Sequence, residues 1–310
     1  MTEFGFIDHI KALFSTIPSN GFEGIGDDCA VLPISSEEVL LFSSDMLIED
    51  VHFLRDKSSA FDIGHKSLAV NISDIAAMGG TPVASLLSIS LPKSIDPSWA
   101  EEFMAGYHAL SHEHAVALIG GDTTSSKGVI SINVTVIGRA KTSCVKRRSD
   151  AQVGDIIATT GQLGTSAAGL RDILEGRLTT AEADAHRRPT PRISEGAWLA
   201  GRPEVGAMMD ISDGVASDIR HIAERSKVGV TIDLDKIPSR FDAQTALCGG
   251  EDYELLLSVR ADKYEELARD FNSHFSCTLT PIGEVIAAEE IVWHKDGKQL
   301  DVELMGFRHF

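Results

Sequence analysis

Positive charge is scarce in this chain: 28 lysines and arginines stand against 46 aspartates and glutamates, a formal net charge of −18 over 310 residues. Such a surface repels nucleic acid and anionic membranes and offers a basic footprint to neither. Cysteine is nearly absent as well. Cys29, Cys144, Cys248 and Cys277 form no Cys-x-x-Cys pair, which excludes a zinc ribbon and a disulfide framework and fits a reducing, cytoplasmic setting. No basic segment leads into an apolar stretch near Glu3 and Asp8, so no signal peptide is read there. The longest uncharged stretch, Ile75 to Pro92, is broken by Gly79-Gly80 and Thr81-Pro82. It reads as a helix end, a turn and a buried strand rather than a membrane span.

The common nucleotide motifs are also missing. No Gly-x-x-x-x-Gly-Lys-Ser/Thr, His-Arg-Asp or Asp-Phe-Gly occurs, which excludes P-loop and protein-kinase architectures. Gly24-Ile25-Gly26 lacks the third glycine of a dinucleotide fold, and no Gly-x-Ser-x-Gly elbow marks a serine hydrolase.

What is present is an ordinary folded composition, 43% hydrophobic and 24% charged, long enough for about two domains at ~150 residues each. Helix-like and strand-like segments alternate. Val39 to Phe42 predicts a strand delivering Ser43-Ser44-Asp45 at its end. Asp62 predicts the cap of a helix running to about Met78 and stopped by Gly79-Gly80, with Leu68, Ile72 and Ile75 as its core stripe. Asn71 and Asp74 then share a different face. Trp99 to about His114 predicts a second helix, and Val116 to Ile119 a strand running into Gly120-Gly121-Asp122. Ile130, Ile132, Val134 and Val136 alternate with polar residues as a half-buried strand does.

A basic stretch from Arg139 to Asp150 follows, and the domain boundary is placed near 140, dividing residues 1–140 from 141–310. The second half predicts strands at Asp155 to Ala158, Val228 to Leu234 and Tyr253 to Val259, and a helix after Asp210-Ile211-Ser212-Asp213-Gly214 that ends near Arg225. The two Ser-Asp pairs, Ser73-Asp74 and Ser212-Asp213, echo each other without establishing a repeat.

The acids carry the chemistry. Asp28, Asp45, Asp74, Asp122, Asp210 and Asp213 all lie beside glycines, serines or apolar runs, poor places for merely solvated charge. Hard oxygen ligands of this kind suit magnesium, which keeps water and phosphate oxygens in its shell. Taken singly, Asp28, Asp122 and Asp213 also read as turn or cap residues. Asp74 escapes that reading, because it falls inside a predicted helix where no free amide needs a cap. For an acidic protein to accept an anionic nucleotide, divalent cations must stand between the two.

Several longer motifs then come together in order: Gly24-Ile25-Gly26-Asp27-Asp28-Cys29, Val51-His52-Phe53, Lys66 through Gly79, Leu118-Ile119-Gly120-Gly121-Asp122-Thr123-Thr124, Asp210 through Gly214, and Gly249-Gly250-Glu251-Asp252-Tyr253-Glu254-Leu255. Over nearly the whole chain they resemble the thiamine-monophosphate kinase family. The resemblance implies a two-domain α/β (α+β) fold shared with aminoimidazole ribonucleotide synthetase and selenophosphate synthetase, with N-terminal domains pairing into a homodimer around a barrel-like interface. It implies an N-terminal half that binds ATP and magnesium and dimerises, and a C-terminal half that completes the site.

By the same resemblance, Asp28, Ser43, Ser44, Asp45, Asp74, Asp122, Asp210 and Asp213 contact magnesium ions, with Asp74, Asp122 and Asp213 catalytic. Gly120, Gly121, Arg148 and Ser212 contact ATP. His52, Glu251 and Phe307, the last in Gly306-Phe307-Arg308-His309-Phe310, face thiamine monophosphate. Asp50 stands where relatives often carry glycine, Ser44 where threonine is frequent, and Phe307 keeps a ring able to stack on a thiazolium. Read from the residues alone, His52 also fits a half-buried structural histidine, Arg148 a solvated linker face, and Cys29 small core packing. The reaction implied is direct phosphoryl transfer from ATP to the substrate's phosphate. The rivals are a selenophosphate synthetase, for which Cys29 lacks the glycine-rich setting, and a non-catalytic nucleotide or metal binder.

Overall fold

A computed structural model of the chain describes residues 3–302 and 304–307. Arg308, His309 and Phe310 of the C-terminal motif lie outside the described residues. Helix α1 (Glu3–Phe14) precedes β1 (Ala30–Pro33), β2 (Glu38–Ile48), α2 (Ala60–Ala77), β3 (Thr81–Pro92), α3 (Pro97–Glu113), β4 (Ala117–Ser126) and β5 (Ser131–Lys141). The five strands form one sheet in the order β1-β2-β5-β3-β4, antiparallel except for the β3–β4 pair. The period-two pattern of β5 decides how this sheet sits. Ile130, Ile132, Val134 and Val136 are fully buried in one cluster with Leu68, Ile72 and Ile75 of α2. Ser131, Asn133 and Thr135 turn to the opposite, partly open face.

The remaining elements are β6 (Ile156–Thr160), α4 (Thr165–Leu174), α5 (Ala181–Arg187), α6 (Ile193–Ala200), β7 (Val205–Asp210), α7 (Val215–Ser226), β8 (Gly229–Asp233), α8 (Ala243–Cys248), β9 (Leu255–Val259), α9 (Tyr264–His274), β10 (Leu279–Ile286), β11 (Ile291–Lys295) and β12 (Lys298–Leu300). Their strands form a second sheet, β12-β11-β8-β10-β6-β9-β7. It is buried on both faces. Ile157, Met209 and Leu256 join one core, and their neighbours Ala158, Met208 and Leu257 join the other. Continuous apolar runs such as Leu255–Val259 are what that double burial requires.

Three local expectations are corrected. Ser59, not Asp62, caps α2: its side chain accepts the Asp62 N–H, while Asp62 stands in the first turn and pairs with Arg187 and Arg188. Asp45 and Asp122 do not end their strands. Asp45 lies within β2 and Asp122 within β4, whose pairing with β3 continues to Ser126. The strand predicted as buried, β3, is half open, with Leu86 36% exposed. Asp50 adopts φ +66, a left-handed conformation that explains a preference for glycine at that position.

Helices α2 and α3 cross at two glycines. A methyl carbon added to Gly106 would lie 1.9 Å from Phe61 O, and one on Gly64 would lie 2.0 Å from Phe103 O. Both obstacles are backbone, so they cannot turn aside. Gly106→Ala is therefore predicted to destabilise the fold by at least about 1–3 kcal/mol, read as a lowered denaturant midpoint; an unchanged midpoint would show that the helices do not approach this closely.

Candidate active site

Strand alternation and helical spacing bring the acids together from three directions. On β2, Ser43, Asp45 and Leu47 point toward α2, while Ser44 and Met46 point to the open face. Asn71 and Asp74, three apart on α2, meet the first set. Ser43 Oγ donates toward Asn71 Oδ1 (3.1 Å) and Asp74 Oδ2, and the Asp45 N–H donates to Asn71 Oδ1 at 2.9 Å. From the second sheet, β7 delivers Asp210 at its end, where Ser73 Oγ donates to Asp210 Oδ2 at 2.5 Å. The turn before β1 brings Asp28, held by Arg148 Nη2 at 2.5 Å.

Carboxylate oxygens of Asp28, Asp74 and Asp210 then lie within 4.8 Å of one another. The Asp28 side chain is 1% exposed, and its Oδ2 has no hydrogen-bond partner among the described residues. Burial, with the neighbouring acids second, drives the titrations upward. Asp45 rises to about 6 through burial and Asp28, and Asp210 to about 8 through burial and Asp28. Asp74 rises well above the ordinary range through burial, then Asp45, Asp210 and Asp28. One arginine at Asp28 does not neutralise four converging acids. An orphaned buried oxygen and an all-oxygen donor set fit a divalent cation of the magnesium class.

Asp74 of this cluster and Asp45 border a cavity of about 740 Å³, lined also by Ser44, Ser212, Asp213 and Glu251, with His52 and Phe307 on its wall. The Phe307 N–H donates to Asp213 O at 3.0 Å, folding the C-terminal segment over the β7–α7 turn. His52 Nδ1 accepts the Ile48 N–H at 3.0 Å, which leaves Nε2 as the proton-bearing nitrogen of a neutral ring. Glu251, at φ +64, is fixed by its N–H on Ser212 O (2.7 Å) and by Lys66 Nζ on Oε1 at 2.8 Å.

Within one chain three of the expected residues stand apart. Gly120, Gly121 and Asp122 lie on the edge strand β4, all exposed. Across the sheet Met46, Asn133, Ser88 and Asp122 form one row, so Asp122 is three strands from β2, about 14 Å at ~4.8 Å per strand. It shares the open face with Ser44. Gly121, at φ +149, has no room for a side chain, since an added carbon would lie 1.7 Å from Leu87 O.

The sequence by itself assigns no role to Asp218, Lys66 or His186. Asp218 falls on the apolar stripe Val215, Ile219, Ile222 of α7; its buried Oδ2 has no hydrogen-bond partner among the described residues, and burial followed by Asp213 and Asp210 raises its titration. A charged residue on a core stripe is the signal that could have found it. Lys66 likewise sits on a buried face of α2 with 4% of its side chain exposed. Burial, then Lys66, pushes the His186 imidazole down to about 4, so the ring is neutral at pH 7. The four cysteines are free.

Because the folded state retains protons on Asp45 and Asp210 that an unfolded chain releases near pH ~4, the metal-free protein loses stability as pH rises through about 6 and about 8. A bound cation replaces those protons. Magnesium is predicted to raise the melting temperature more at pH 8 than at pH 5, and Asp210→Asn to remove most of that gain while leaving the metal-free protein as stable or more so at pH 8. A magnesium shift independent of pH would contradict the placement of the cation here.

Comparison with known proteins accords with this geometry. Residues 26–140 match the N-terminal domain of AIR synthase related proteins, and residues 152–295 match the C-terminal domain. Thiamine-monophosphate kinase of Escherichia coli (strain K12) is 39% identical, with 93% of this chain and 91% of that protein covered. The Bacillus subtilis (strain 168) enzyme of the same name is 36% identical with both chains fully covered. Among solved structures, thiamine-monophosphate kinase from Stenotrophomonas maltophilia K279a is 38% identical with a TM-score of 0.76, covering 96% of this chain and 98% of that one. AaThiL complexed with AMPPCP and TMP is 32% identical with a TM-score of 0.86, covering 100% and 97%. With both domains matched and full-length identity of this order, the chain belongs to the thiamine-monophosphate kinase family.

Proposed function

We propose that this protein transfers the γ-phosphoryl group of ATP directly to thiamine monophosphate, giving thiamine diphosphate and ADP. The observation that carries the reading is the cluster of Asp28, Asp74 and Asp210, of which Asp74 lines a cavity that His52, Glu251 and Phe307 also line. No general base is needed. The acceptor is a phosphate monoester with a second pKa near ~6, so at neutral pH its oxygen is already anionic. What opposes reaction is repulsion between two phosphate chains. Asp28, Asp45, Asp74, Asp210 and Asp213, with the hydroxyls of Ser43 and Ser44, are the residues that would hold magnesium ions, whose positive charge would let the two phosphate chains approach.

The chain's own residues supply alignment. Arg148, a half-buried fork paired with Asp28, is assigned to the nucleotide's phosphates in this reading, and Ser212 offers a hydroxyl beside Asp213 on the cavity wall. Phe307 presents a ring to a thiazolium. Residues 1–140 form the nucleotide and magnesium half, and residues 141–310 complete the site. We place the protein in the cytoplasm; no helix among the described residues is long and apolar enough to cross a membrane.

The open face of the first sheet fits a second copy of this chain. Met46, Leu86, Leu118 and Ile119 are 54, 36, 44 and 59% exposed there and along the edge strand. Pairing these faces in a homodimer covers them and carries the partner's Gly120, Gly121 and Asp122 toward Ser44, which a single chain leaves about three strands away.

With ATP, magnesium and thiamine monophosphate the purified protein is predicted to form thiamine diphosphate and ADP in equal amounts; ADP without the acceptor, or no thiamine diphosphate, would overturn the assignment. Asp74→Asn is predicted to lower kcat by about 10²-fold or more. If Asp122 acts in the partner's site, co-expressed Asp74→Asn and Asp122→Asn chains regain activity that neither has alone. A mixed preparation no more active than its components would place Asp122 outside the shared site.

A further inference from the structure

Five buried side-chain polar atoms have no hydrogen-bond partner among the described residues, and three of them belong to one group of charges: Arg148 Nε, Asp28 Oδ2 and Asp218 Oδ2. Arg148 Nη2 donates to Asp28 Oδ1 at 2.5 Å. After Asp28, Asp218 is the acid whose charge bears most on Arg148, ahead of Asp210. Asp218 is 1% exposed and has one oxygen in use, which accepts the Asp213 N–H and ties α7 back to the turn before it. The far end of α7 grips the arginine's own segment: Ser226 Oγ donates to Arg148 O at 2.8 Å and accepts the Ala151 N–H at 3.1 Å. The Arg148 N–H in turn donates to Asp27 Oδ1 at 2.8 Å. Both backbone polar groups of Arg148 are thus fixed, and any movement there belongs to its side chain.

We infer that Asp218 is a positioning residue for Arg148, whose guanidinium pairs with Asp28 while that carboxylate is free and turns to Asp218 once a cation occupies Asp28, giving its Nε–H to the unpartnered oxygen. The inference rests on the kinase reading only for what the turned fork then faces, the phosphates of the nucleotide. A buried N–H without an acceptor and a buried carboxylate oxygen without a donor each carry a desolvation cost that pairing removes. Asp28 is what keeps them apart. A cation on Asp28 Oδ2 shares one carboxylate with the guanidinium on Oδ1, and two positive charges a few ångström apart repel. The other charged groups nearby leave the exchange to these three residues. Asp210 and Asp213 lie on the side of the cation cluster, and Asp27 is engaged by the Arg148 backbone. His221, one turn along α7, is pushed down to about 4 by burial, Arg148 and Arg225, so its ring is neutral at pH 7. Arg225 lies against Gly26, where an added carbon would be 3.2 Å from its guanidinium carbon, and Arg148 is the cation whose charge bears most on Asp218. On Asp28 one terminal nitrogen of Arg148 is occupied; on Asp218 both terminal nitrogens are left for the nucleotide.

The test follows the Arg148 Nε–H by NMR in protein carrying isotope-labelled arginine, its resonance identified by its loss in Arg148→Lys. Asp28→Asn removes the charge of the first carboxylate and so stands in for a bound cation. In that variant, and in the unaltered protein titrated with magnesium, the Nε–H is predicted to move downfield and to exchange more slowly with solvent, as it enters a charge-assisted hydrogen bond. Asp218→Asn keeps an acceptor for the Asp213 N–H but sets an amide donor against Arg148, so magnesium is predicted to leave the resonance in place. The same variant is predicted to bind ADP with magnesium about tenfold more weakly by calorimetry. Thermal melts verify folding, and if Asp218→Asn does not fold, the first two measurements decide. A resonance that stays put in Asp28→Asn or in the magnesium-bound protein, or that moves as far in Asp218→Asn, overturns the exchange. Asp28→Asn needs neither cation nor thiamine monophosphate, so its failure tells against Asp218 alone. A protein whose Arg148 turns as described but which forms no thiamine diphosphate overturns the kinase reading and leaves the exchange standing.

Discussion

Four carboxylates converge where the two sheets of this molecule meet, and little in the protein balances their charge. Asp28 has an arginine, whereas the Asp74 and Asp210 carboxyls accept only from neutral serine hydroxyls. Buried like charges of this kind either hold protons or hold cations, and the raised titrations of Asp45 and Asp210 describe the first state. A protein that brings polyanions together works in the second. Hydrogen bonds from Ser43 and Ser73 fix the Asp74 and Asp210 carboxyl groups, and Asn71 Oδ1 accepts the Asp45 N–H and so holds that backbone in place before any cation arrives.

That convergence requires both halves of the chain. α2 supplies Asp74 while packing on the first sheet, and the same helix touches the second half through Ala76, whose carbonyl lies 2.3 Å from where a side chain on Gly196 would begin. β7 delivers Asp210 from the other side. The helix therefore serves as a common rail: one face fills the core, and another carries Lys66, Val70 and Asp74 past two cavities. The net charge of −18 belongs to the same account, since on the proposed reaction cations would stand between an acidic protein and its anionic nucleotide.

Much of this is legible in the amino-acid sequence. The alternation from Ile130 to Val136 and the stripe Leu68, Ile72, Ile75 mark the first core, because burial on one face imposes a period that a single sequence displays. Asp74 stands out because a helix interior offers a carboxylate no local use. Ser43-Ser44-Asp45 misleads, since polar residues usually end a buried strand; here they continue it, satisfied by Asn71 and Asp74 nearly thirty positions away, a pairing that propensity does not contain. Ser59 and Asp62 are both competent caps three residues apart, and backbone geometry selects the first. Lys66 and His186 carry no local mark of their contacts because their partners, Glu251 and Ser166, come from distant segments. The separation of Asp122 from the cluster is equally invisible, because strand order is not written in local sequence.

The central claim is that Asp28, Asp74 and Asp210 form a cation site rather than a set of buried neutral acids. Anomalous diffraction from crystals grown with manganese and a non-hydrolysable ATP analogue tests it most directly. The account predicts manganese peaks in coordination contact with these three carboxylates; well-ordered nucleotide with no anomalous signal among them would contradict it.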